Sequence, residues 1–313
     1  MRVVTLEEIE KVLPQLDLIP LMEEGFTAYT RGEAVVPPVG EMIFDDPPGD
    51  VHIKYGYLRG GEHYVVKIAS GFYRNPQQGL PSSNGLMLLF HQATGQPAAL
   101  LLDEGRLTDV RTAAAGAVAA KHLAPRIERI GILGTGIQAR LQLEHLKPVT
   151  SCRNVLVWGR RQEAAEAYAE EMGAQGWRVT VAEAADEVAE SCDLLVTTTP
   201  ATEPLFEADR LRVGAHVTAV GSDTAEKQEL DPELLARAAV VVGDSLAQCR
   251  SRGEIYRAVQ AGMLGADAAV ELGAVIADRS LGRQNAGQIT IADLTGVAVQ
   301  DIQIAAAVFS ALE

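Results

Sequence analysis

The pattern of hydrophobic and polar residues changes character along the chain. Residues 5–31 carry apolar side chains at helical spacing and predict two helices, the second over 18–29. From Val51 the stretch VHIKYGY alternates, with His52 and Lys54 on one strand face. YVVKIAS, NGLMLLFH and AALLLD are further apolar runs, separated by glycine and proline clusters. About four strands in a meandering sheet are therefore predicted.

The next segment is rich in alanine and predicts a tightly packed helix. LTDVRTAAAGAVAAKHL spans 107–123, with Thr108 as the expected N-cap. Beyond Pro125, apolar strands alternate with glycine turns and helices in IGIL, VLVW, DLLVTTT, HVTAVG and AVVVG. This alternation predicts a doubly wound parallel sheet. The last stretch, AVQDIQIAAAVFSALE, predicts a helix that packs back on the N-terminal part of the chain.

Composition narrows the class of protein. The chain has 313 residues, 47% hydrophobic and 22% charged, which predicts that its whole length folds. A net charge of −15 argues against binding to nucleic acid or anionic lipid. No apolar run approaches the roughly 18 residues of a membrane span, and acids occupy the start where a signal peptide is apolar, so we expect a cytoplasmic protein.

Cysteines and histidines give no sign of a metal centre. Cys152, Cys192 and Cys249 are far apart and outside any CxxC pair, so we expect reduced, buried thiols. The six histidines also lack the spacing of metal ligands. No metal site is predicted.

A glycine-rich turn follows the predicted strand IGIL and opens a helix. Its residues form a GxGxxA motif: Gly134, Thr135, Gly136, Ile137, Gln138 and Ala139. The first glycine permits the turn, the second lets the backbone approach a pyrophosphate, and the alanine permits close helix packing. The motif predicts a Rossmann dinucleotide-binding domain over 121–296, and an α+β domain formed by 1–120 plus 297–313.

The end of the second strand bears on the choice of cofactor. About twenty residues after the glycines, where an acid would hold the ribose hydroxyl of NAD, the chain has Gly159, Arg160 and Arg161. Guanidinium groups bind a 2′-phosphate well, so NADP(H) is favoured over NAD(H). The alternative is that one or both arginines are only solvated.

Later strand ends supply further candidates. Thr197, Thr198, Thr199 and Gly221 follow two parallel strands, at the edge where the nicotinamide half is expected. Asp223 lies just beyond and can move a proton to or from an amine while hydride moves at the neighbouring carbon. The alternative for Asp223 is a helix N-cap, and Lys227 is either its ion-pair partner or solvated.

Two cations stand in otherwise apolar surroundings. Lys67 lies between Val66 and Ile68 in a strand, and burying it without a partner is costly. Arg111 is expected in the first turn of the alanine-rich helix, with Asp109 as the nearest acid. Either each cation faces solvent, or both bind a substrate carboxylate.

Together these segments resemble the ornithine cyclodeaminase and mu-crystallin family over nearly the whole chain. The matching stretches are VVKIAS, LTDVRTAAAGAVAA, ILGTGIQA, VWGRR, TTTP, VGSDTAEKQELD and TGVAVQD. The resemblance implies that Lys67 and Arg111 bind the substrate carboxylate, with Lys67 in the catalytic set, and that Asp223 is the acid/base. It also adds Val297 to the cofactor contacts and implies a homodimer paired through the N-terminal substrate-binding domains.

One position departs from the family pattern. After the proline pair, members usually have an arginine that helps hold the carboxylate, whereas VVPPVGEM has Gly40 there. His52 and Lys54 lie just downstream, where many members have an uncharged segment. Lys54 either replaces the arginine or recognises a second carboxylate on an acidic substrate such as iminosuccinate.

Three functions follow from these observations. The first is an NAD(P)-dependent imine reductase or amino acid dehydrogenase that moves hydride at the α-carbon of a small amino or imino acid. The second is a redox-neutral cyclodeaminase that converts ornithine to proline and ammonia. The third is a crystallin-like binding protein without catalysis, which the presence of Asp223, Lys67 and Arg111 disfavours.

Overall fold

The structure, a computed structural model, describes residues 1–72 and 74–312. The chain forms two compact units. Unit 1 consists of Met1–Arg111 and the segment from Val297 onward, and unit 2 is Thr112–Gly296. The first division lies at 111/112, earlier than the predicted limit after residue 120.

Unit 1 contains a mixed sheet. Its described strands are β1 Arg2–Thr5, β2 Ala34–Val35, β3 Gly40–Asp45, β4 Pro48–Leu58, β5 His63–Phe72, β6 Ser83–His91 and β7 Pro97–Leu102. The order is β1-β7-β6-β5-β4-β2, with β3 also pairing with β4, and only the β1–β7 pair is parallel. The sheet is therefore larger than the predicted meander of about four strands, because three short strands extend its edges.

Helices cover one face of this sheet. They are α1 Leu6–Val12, α2 Leu18–Thr30, the start of α3 Arg106–Leu123, and α11 Ala298–Ala311. The C-terminal helix α11 packs on α2, β4 and β5, so it brings the end of the chain to the middle of the sheet.

The start of α3 differs from the sequence prediction. The helix begins at Arg106, so Thr108 lies inside it and is not its N-cap, and Arg111 lies in the second turn rather than the first. The carboxylate of Asp103 instead accepts a hydrogen bond from the backbone N–H of Leu107 at 2.9 Å. An acid four residues upstream of that N–H thus does what the predicted threonine cap was expected to do.

Unit 2 is a doubly wound parallel domain. Its strands are β8 Ile130–Leu133, β9 Asn154–Trp158, β10 Arg178–Val181, β11 Leu194–Thr197, β12 His216–Ala219, β13 Val240–Gly243, β14 Val270–Glu271 and β15 Thr290–Asp293. The order is β10-β9-β8-β11-β12-β15-β13-β14, with every pairing parallel. The chain reverses direction across the sheet beside β8, so the switch point of the fold lies between β8 and β11.

Seven further helices flank or follow these strands. They are α4 Ile137–His145, α5 Gln162–Ala174, α6 Ala185–Ser191, α7 Pro232–Arg237, α8 Leu246–Cys249, α9 Gly253–Gln260 and α10 Leu272–Ala277. A side chain at Gly116 of α3 would collide with Gln142 of α4, which accounts for the small residues of α3 at this contact. Among the described helices, none is both long and apolar enough to cross a bilayer.

Candidate active site

Three buried side chains form a charged cluster in unit 1. Lys67 on β5, Arg111 on α3 and Asp301 on α11 have side chains that are 2%, 5% and 1% exposed. Lys67 Nζ lies 3.2 and 3.1 Å from the two carboxylate oxygens of Asp301, and Arg111 Nε lies 3.0 Å from Oδ1. Arg111 also donates from Nη1 to Gln300 Oε1 at 2.9 Å. The two predicted cations are thus brought together by an acid from the last helix.

Hydrogen bonding within this cluster is incomplete. Arg111 Nε and Asp301 Oδ2 are enclosed, and among residues 1–72 and 74–312 neither has a partner with hydrogen-bond geometry. Both atoms are ion-paired, at 3.0 Å for Arg111 Nε and 3.1 Å for Asp301 Oδ2, but at angles that do not make hydrogen bonds. A carboxylate placed against Arg111 would supply an acceptor with better geometry.

Lys54 adds a third basic side chain to the cluster of Lys67, Arg111 and Asp301. It is the cross-strand partner of Lys67 and is 5% exposed. Burial lowers the pKa of Lys67 to about 7, and repulsion from Arg111 and Lys54 works with burial while Asp301 opposes it. Burial tends to raise the pKa of Asp301, but Arg111, Lys67 and Lys54 outweigh it, so that pKa is lowered. Three basic side chains thus surround one ionised acid, and when Lys67 is protonated this charge balance favours an anionic ligand.

His52 and Gly40 lie at the edge of the same sheet. His52 Nε2 is 3.0 Å from the Glu41 carboxylate, and the two residues are cross-strand partners on β4 and β3. Gly40 opens β3 opposite Ile53, and a Cβ there would lie 3.3 Å from the Ile53 Cβ. Glu41 therefore already pairs with His52, whereas Lys54 faces the lysine and acid of the central cluster.

The glycine-rich turn lies at the switch point of unit 2. Gly134 has φ +125°, and a Cβ there would lie 2.5 Å from Thr198 Oγ1. Gly136 precedes α4 as its N-cap residue, without a side-chain cap, and has open space where a Cβ would be. Ile137 is exposed, Gln138 half-buried and Ala139 fully buried against Tyr168, whose hydroxyl donates to the Ala139 carbonyl at 2.9 Å. A helix N-terminus without a side-chain cap, with open space at Gly136, fits a pyrophosphate.

The arginines after β9 are exposed. Arg160 and Arg161 follow Gly159, and Arg161 is the N-cap residue of α5. A Cβ at Gly159 would lie 2.7 Å from Thr135 Cγ2, so this turn packs closely on the glycine-rich turn. The described part of the chain gives neither arginine an ion-pair partner, which leaves both guanidinium groups available to a phosphate.

A buried acid braces the ends of β11 and β12. Glu229 accepts hydrogen bonds from Thr197 Oγ1 at 2.7 Å and from Gly221 N at 2.8 Å. Its other oxygen accepts from the N–H and hydroxyl of Thr199 at 2.5 and 2.8 Å. Thr198 donates instead to the Leu133 carbonyl at 3.3 Å. The Thr197 side chain is fully enclosed, so it fixes the loop, while Thr198, Thr199 and Gly221 are partly exposed at the strand ends.

Asp223 lies beyond that brace on a partly exposed loop. Lys227 Nζ is 2.6 Å from Asp223 Oδ1, so of the two alternatives for Lys227 the ion pair is the one found. Residues 224–230 are not helical and include an isolated β-bridge between Gln228 and Thr202, so the alternative role of Asp223 as an N-cap is wrong. A carboxylate that is 40% exposed and paired with a lysine can accept or release a proton.

Sequence reasoning missed Asp301 and Glu229. Asp301 lies in an alanine-rich amphipathic run, where an acid predicts a solvated helix face, and only the packing of α11 on the sheet buries it. Glu229 lies in a stretch with two other acids nearby. Val297, a predicted cofactor contact, is fully buried as the N-cap residue of α11.

Unit 2 has a glycine-rich turn at the switch point of its parallel sheet, and unit 1 has a buried cationic cluster. Together these features define a dinucleotide-dependent α/β protein. The chain belongs to the ornithine cyclodeaminase/mu-crystallin family, whose model matches residues 1–313. This confirms the predicted family and fold class, in a family that includes NAD-dependent oxidoreductases and cyclodeaminases.

Related sequences and solved structures are similar to this chain over almost its whole length. An uncharacterised cyclodeaminase of Sinorhizobium fredii is 44% identical, over 100% of this chain and 96% of its own. The Thermococcus litoralis Δ1-pyrroline-2-carboxylate reductase, solved with NADH and L-proline, is 30% identical with a TM-score of 0.93, over 99% of this chain and 97% of its own. An archaeal alanine dehydrogenase dimer with bound NAD is 34% identical with a TM-score of 0.91, over 99% and 95%.

Proposed function

We propose that this chain is an NAD(P)-dependent imine reductase or amino acid dehydrogenase acting at the α-carbon of a small amino or imino acid. The observation that carries the proposal is the buried cluster of Lys67 and Arg111 on Asp301, with an Arg111 N–H that lacks a hydrogen-bond partner. A reductase similar over nearly the whole chain was solved with NADH and L-proline, an amino acid with one carboxylate.

In this proposal each unit supplies separate groups. Lys67 and Arg111 bind the α-carboxylate and orient the α-carbon. Asp301 keeps both side chains in place through its ion pairs with them. The residues of the glycine-rich turn, 134–139, hold the pyrophosphate of the cofactor. The bound nicotinamide supplies or takes up the hydride. Asp223 moves the proton at the substrate nitrogen, and its ion pair with Lys227 positions the carboxylate.

For the cofactor we favour NADP(H) over NAD(H). Arg160 and Arg161 are both exposed after β9, and residues 159–161, where an acid would bind the ribose hydroxyl, contain no acid. The two solved relatives described above contain NADH and NAD, so the proposed preference rests on the WGRR sequence alone.

The substrate end allows two assignments for Lys54. In the first assignment, Lys54 replaces the arginine that family members usually have at the position of Gly40, and it contacts the α-carboxylate. As a separate anchor, it binds the second carboxylate of a dicarboxylic imine, with His52 held beside it by Glu41. Its position opposite Lys67 supports either assignment.

We also propose a homodimer in the cytoplasm. Met42, Ile43 and Phe44 on β3 are 48%, 66% and 42% exposed, and an apolar surface of this kind is typical of a protein interface. The archaeal alanine dehydrogenase is a dimer. The three cysteines are free and buried, as expected for a reducing compartment.

A second function, the cyclodeaminase, is favoured by the name of the Sinorhizobium relative. It uses the same hydride step in both directions and releases ammonia. The distal amine of ornithine would need an acid to hold it, and the acid that contacts Lys67, Asp301, is already paired with Lys67 and Arg111.

One experiment separates these functions. Absorbance at 340 nm is followed with NADPH and NADH supplied separately, against a cyclic imine and a dicarboxylic imine, while ammonia is assayed in parallel with ornithine and trace NAD. We expect loss of absorbance with an imine, faster with NADPH. Ammonia release without any absorbance change would assign the cyclodeaminase, and the absence of both reactions would contradict the proposed enzyme.

A further inference from the structure

Two histidines and a glutamate meet at the far end of the unit 1 sheet. His63 opens β5 and His91 closes β6, and the two are cross-strand partners with ring centroids 4.8 Å apart. The Glu62 carboxylate lies 3.9 Å from His63 Nε2 and 4.0 Å from His91 Nδ1. Their donor atoms all lie within 4.8 Å of one another. We propose that Glu62, His63 and His91 bind a zinc ion.

The cluster is distinct from the carboxylate site. His63 and Lys67 lie four residues apart on the same face of β5, which is about 13 Å along the strand. The helix α11 packs on this face and contacts both residues, since Asp301 pairs with Lys67 and Phe309 meets the His63 ring edge-on at 5.5 Å. The proposed metal therefore takes no part in the proposed hydride transfer.

The strongest sign of a ligand is His63 itself. Its side chain is 8% exposed, and its Nε2 atom has no hydrogen-bond partner in the described structure. A buried ring nitrogen without a partner costs free energy that a bound metal would recover. Imidazole nitrogen and carboxylate oxygen are the ligands that zinc accepts beside thiolate.

The backbone around the histidines is fixed before any metal binds. Gln92 Nε2 donates to the His63 carbonyl at 2.9 Å and to the Leu58 carbonyl at 3.0 Å. The Gly95 N–H donates to the His91 carbonyl at 2.8 Å, which closes the turn after β6. Only the outer parts of the His91 and Glu62 side chains, 41% and 75% exposed, must move to bring the ligands in.

The required movement is small. Two ligands of a tetrahedral zinc, each about 2.1 Å from the ion, are roughly 3.4 Å apart. The Glu62 carboxylate exceeds that separation by about 0.6 Å, and the two histidine nitrogens exceed it by at most about 1.4 Å, within reach of a rotation of the half-exposed His91 side chain. A cavity of about 180 Å³ beside His63 and Glu62 has room for water as the fourth ligand.

The test is zinc binding by calorimetry on metal-stripped, full-length protein without a polyhistidine tag, with zinc chloride as the probe. We expect one zinc per chain, a Kd on the order of micromolar, and at least tenfold weaker binding in His91→Gln, since loss of even an outer-shell partner costs about that much. Glu62→Gln should weaken binding by a smaller factor. His122→Gln, which removes a histidine from the middle segment of the chain, is the matched control and should bind zinc normally.

A second measurement distinguishes loss of the zinc site from misfolding of the variant. His91 is half-exposed, so His91→Gln should retain the wild-type circular dichroism spectrum and thermal midpoint without metal. At the same zinc concentration, the thermal midpoint should rise less in His91→Gln than in the wild type and His122→Gln. Absence of saturable zinc binding to the wild type, or equal affinity in wild type and His91→Gln, would overturn the proposal.

Discussion

Two fully buried aspartates, one in each unit, have pKa values shifted in opposite directions. Asp301 in unit 1 is surrounded by Arg111, Lys67 and Lys54, which outweigh the effect of burial and lower its pKa. Asp293 in unit 2 accepts hydrogen bonds mainly from the backbone, including the Ile255 N–H at 2.8 Å. Burial raises the pKa of Asp293 to about 7, and the neighbouring Asp244 adds to that rise.

The surroundings of the two acids explain why one group of acids stabilises loops and the other belongs to a ligand-binding cluster. Glu229 and Glu254 share the surroundings of Asp293: burial raises their pKa values, and backbone N–H groups satisfy their oxygens. Among the described residues of unit 2, no lysine or arginine is fully buried. The hydrogen bonds of these acids fix loops at the strand ends. The unit 1 cluster has surplus positive charge and an unsatisfied guanidinium N–H, and is suited to bind an anion.

The largest effect is expected from Lys67→Met. Removing one partner of a buried charged pair costs about 2–5 kcal/mol, so kcat/KM should fall by about 10²–10³-fold with any carboxylate substrate. Lys67→Arg should recover part of the loss because it restores the charge. Lys11→Met, an exposed lysine of the same unit, is the control. Equal activity of Lys67→Met and Lys11→Met would show that the cluster is only structural.

Asp223→Asn tests the partly exposed acid of unit 2. Loss of the proposed acid/base should reduce kcat on the order of 10²-fold. Cofactor affinity, measured by fluorescence titration, should stay near the wild-type value. Glu226→Gln changes an exposed acid of the same loop and should leave kcat unchanged. A normal kcat in Asp223→Asn would exclude the role.

Glu229→Ala tests the interpretation of the buried acids as braces. The substitution leaves four donors on Thr197, Thr199 and Gly221 without their acceptor, and should lower the free energy of unfolding by about 1–3 kcal/mol. Denaturant unfolding, with exposed Glu233→Ala as the control, measures the loss. Unchanged stability in both variants would mean that Glu229 does not hold the loops.

The pKa of Lys67, lowered to about 7, predicts a pH dependence of anion binding. The protonated lysine binds a carboxylate, so affinity is highest below pH 7 and is lost as the pH rises through that value. The inhibition constant of tetrahydrofuran-2-carboxylate, which has no amine, should rise roughly 25-fold from pH 6.5 to 8.5. In Lys67→Arg the dependence should flatten, because arginine keeps its charge. The same profile in both proteins would assign the titration to another group.

The smallest expected effect is that of Arg160→Ala on the cofactor. An exposed guanidinium contributes about 1 kcal/mol to a phosphate contact, so the NADPH affinity should fall roughly fivefold while the NADH affinity holds. Arg126→Ala, an arginine that is 89% exposed elsewhere in the chain, is the control. Equal loss of both affinities would contradict recognition of the 2′-phosphate by Arg160.

Local pattern was sufficient for much of the fold. The glycine-rich turn, the parallel strands around it and the alanine-rich helix all have signals contained within a few residues. Short edge strands such as β1 and β10 were missed, because four residues carry too little periodicity to distinguish a strand from a loop. Thr108 was taken for a helix cap because capping by Asp103 from four residues upstream of Leu107 depends on the path of the loop before α3.

The sequence alone determined the family, the dinucleotide motif and the identity of the two unusual cations, since each depends on residue type at fixed local spacing. Only the tertiary structure decided which residues those cations contact. Asp301 follows Lys67 by 234 residues, and His63 meets His91 across a strand pair. Burial and long-range contact depend on how helices and strands pack, and packing brings together residues that no local spacing relates.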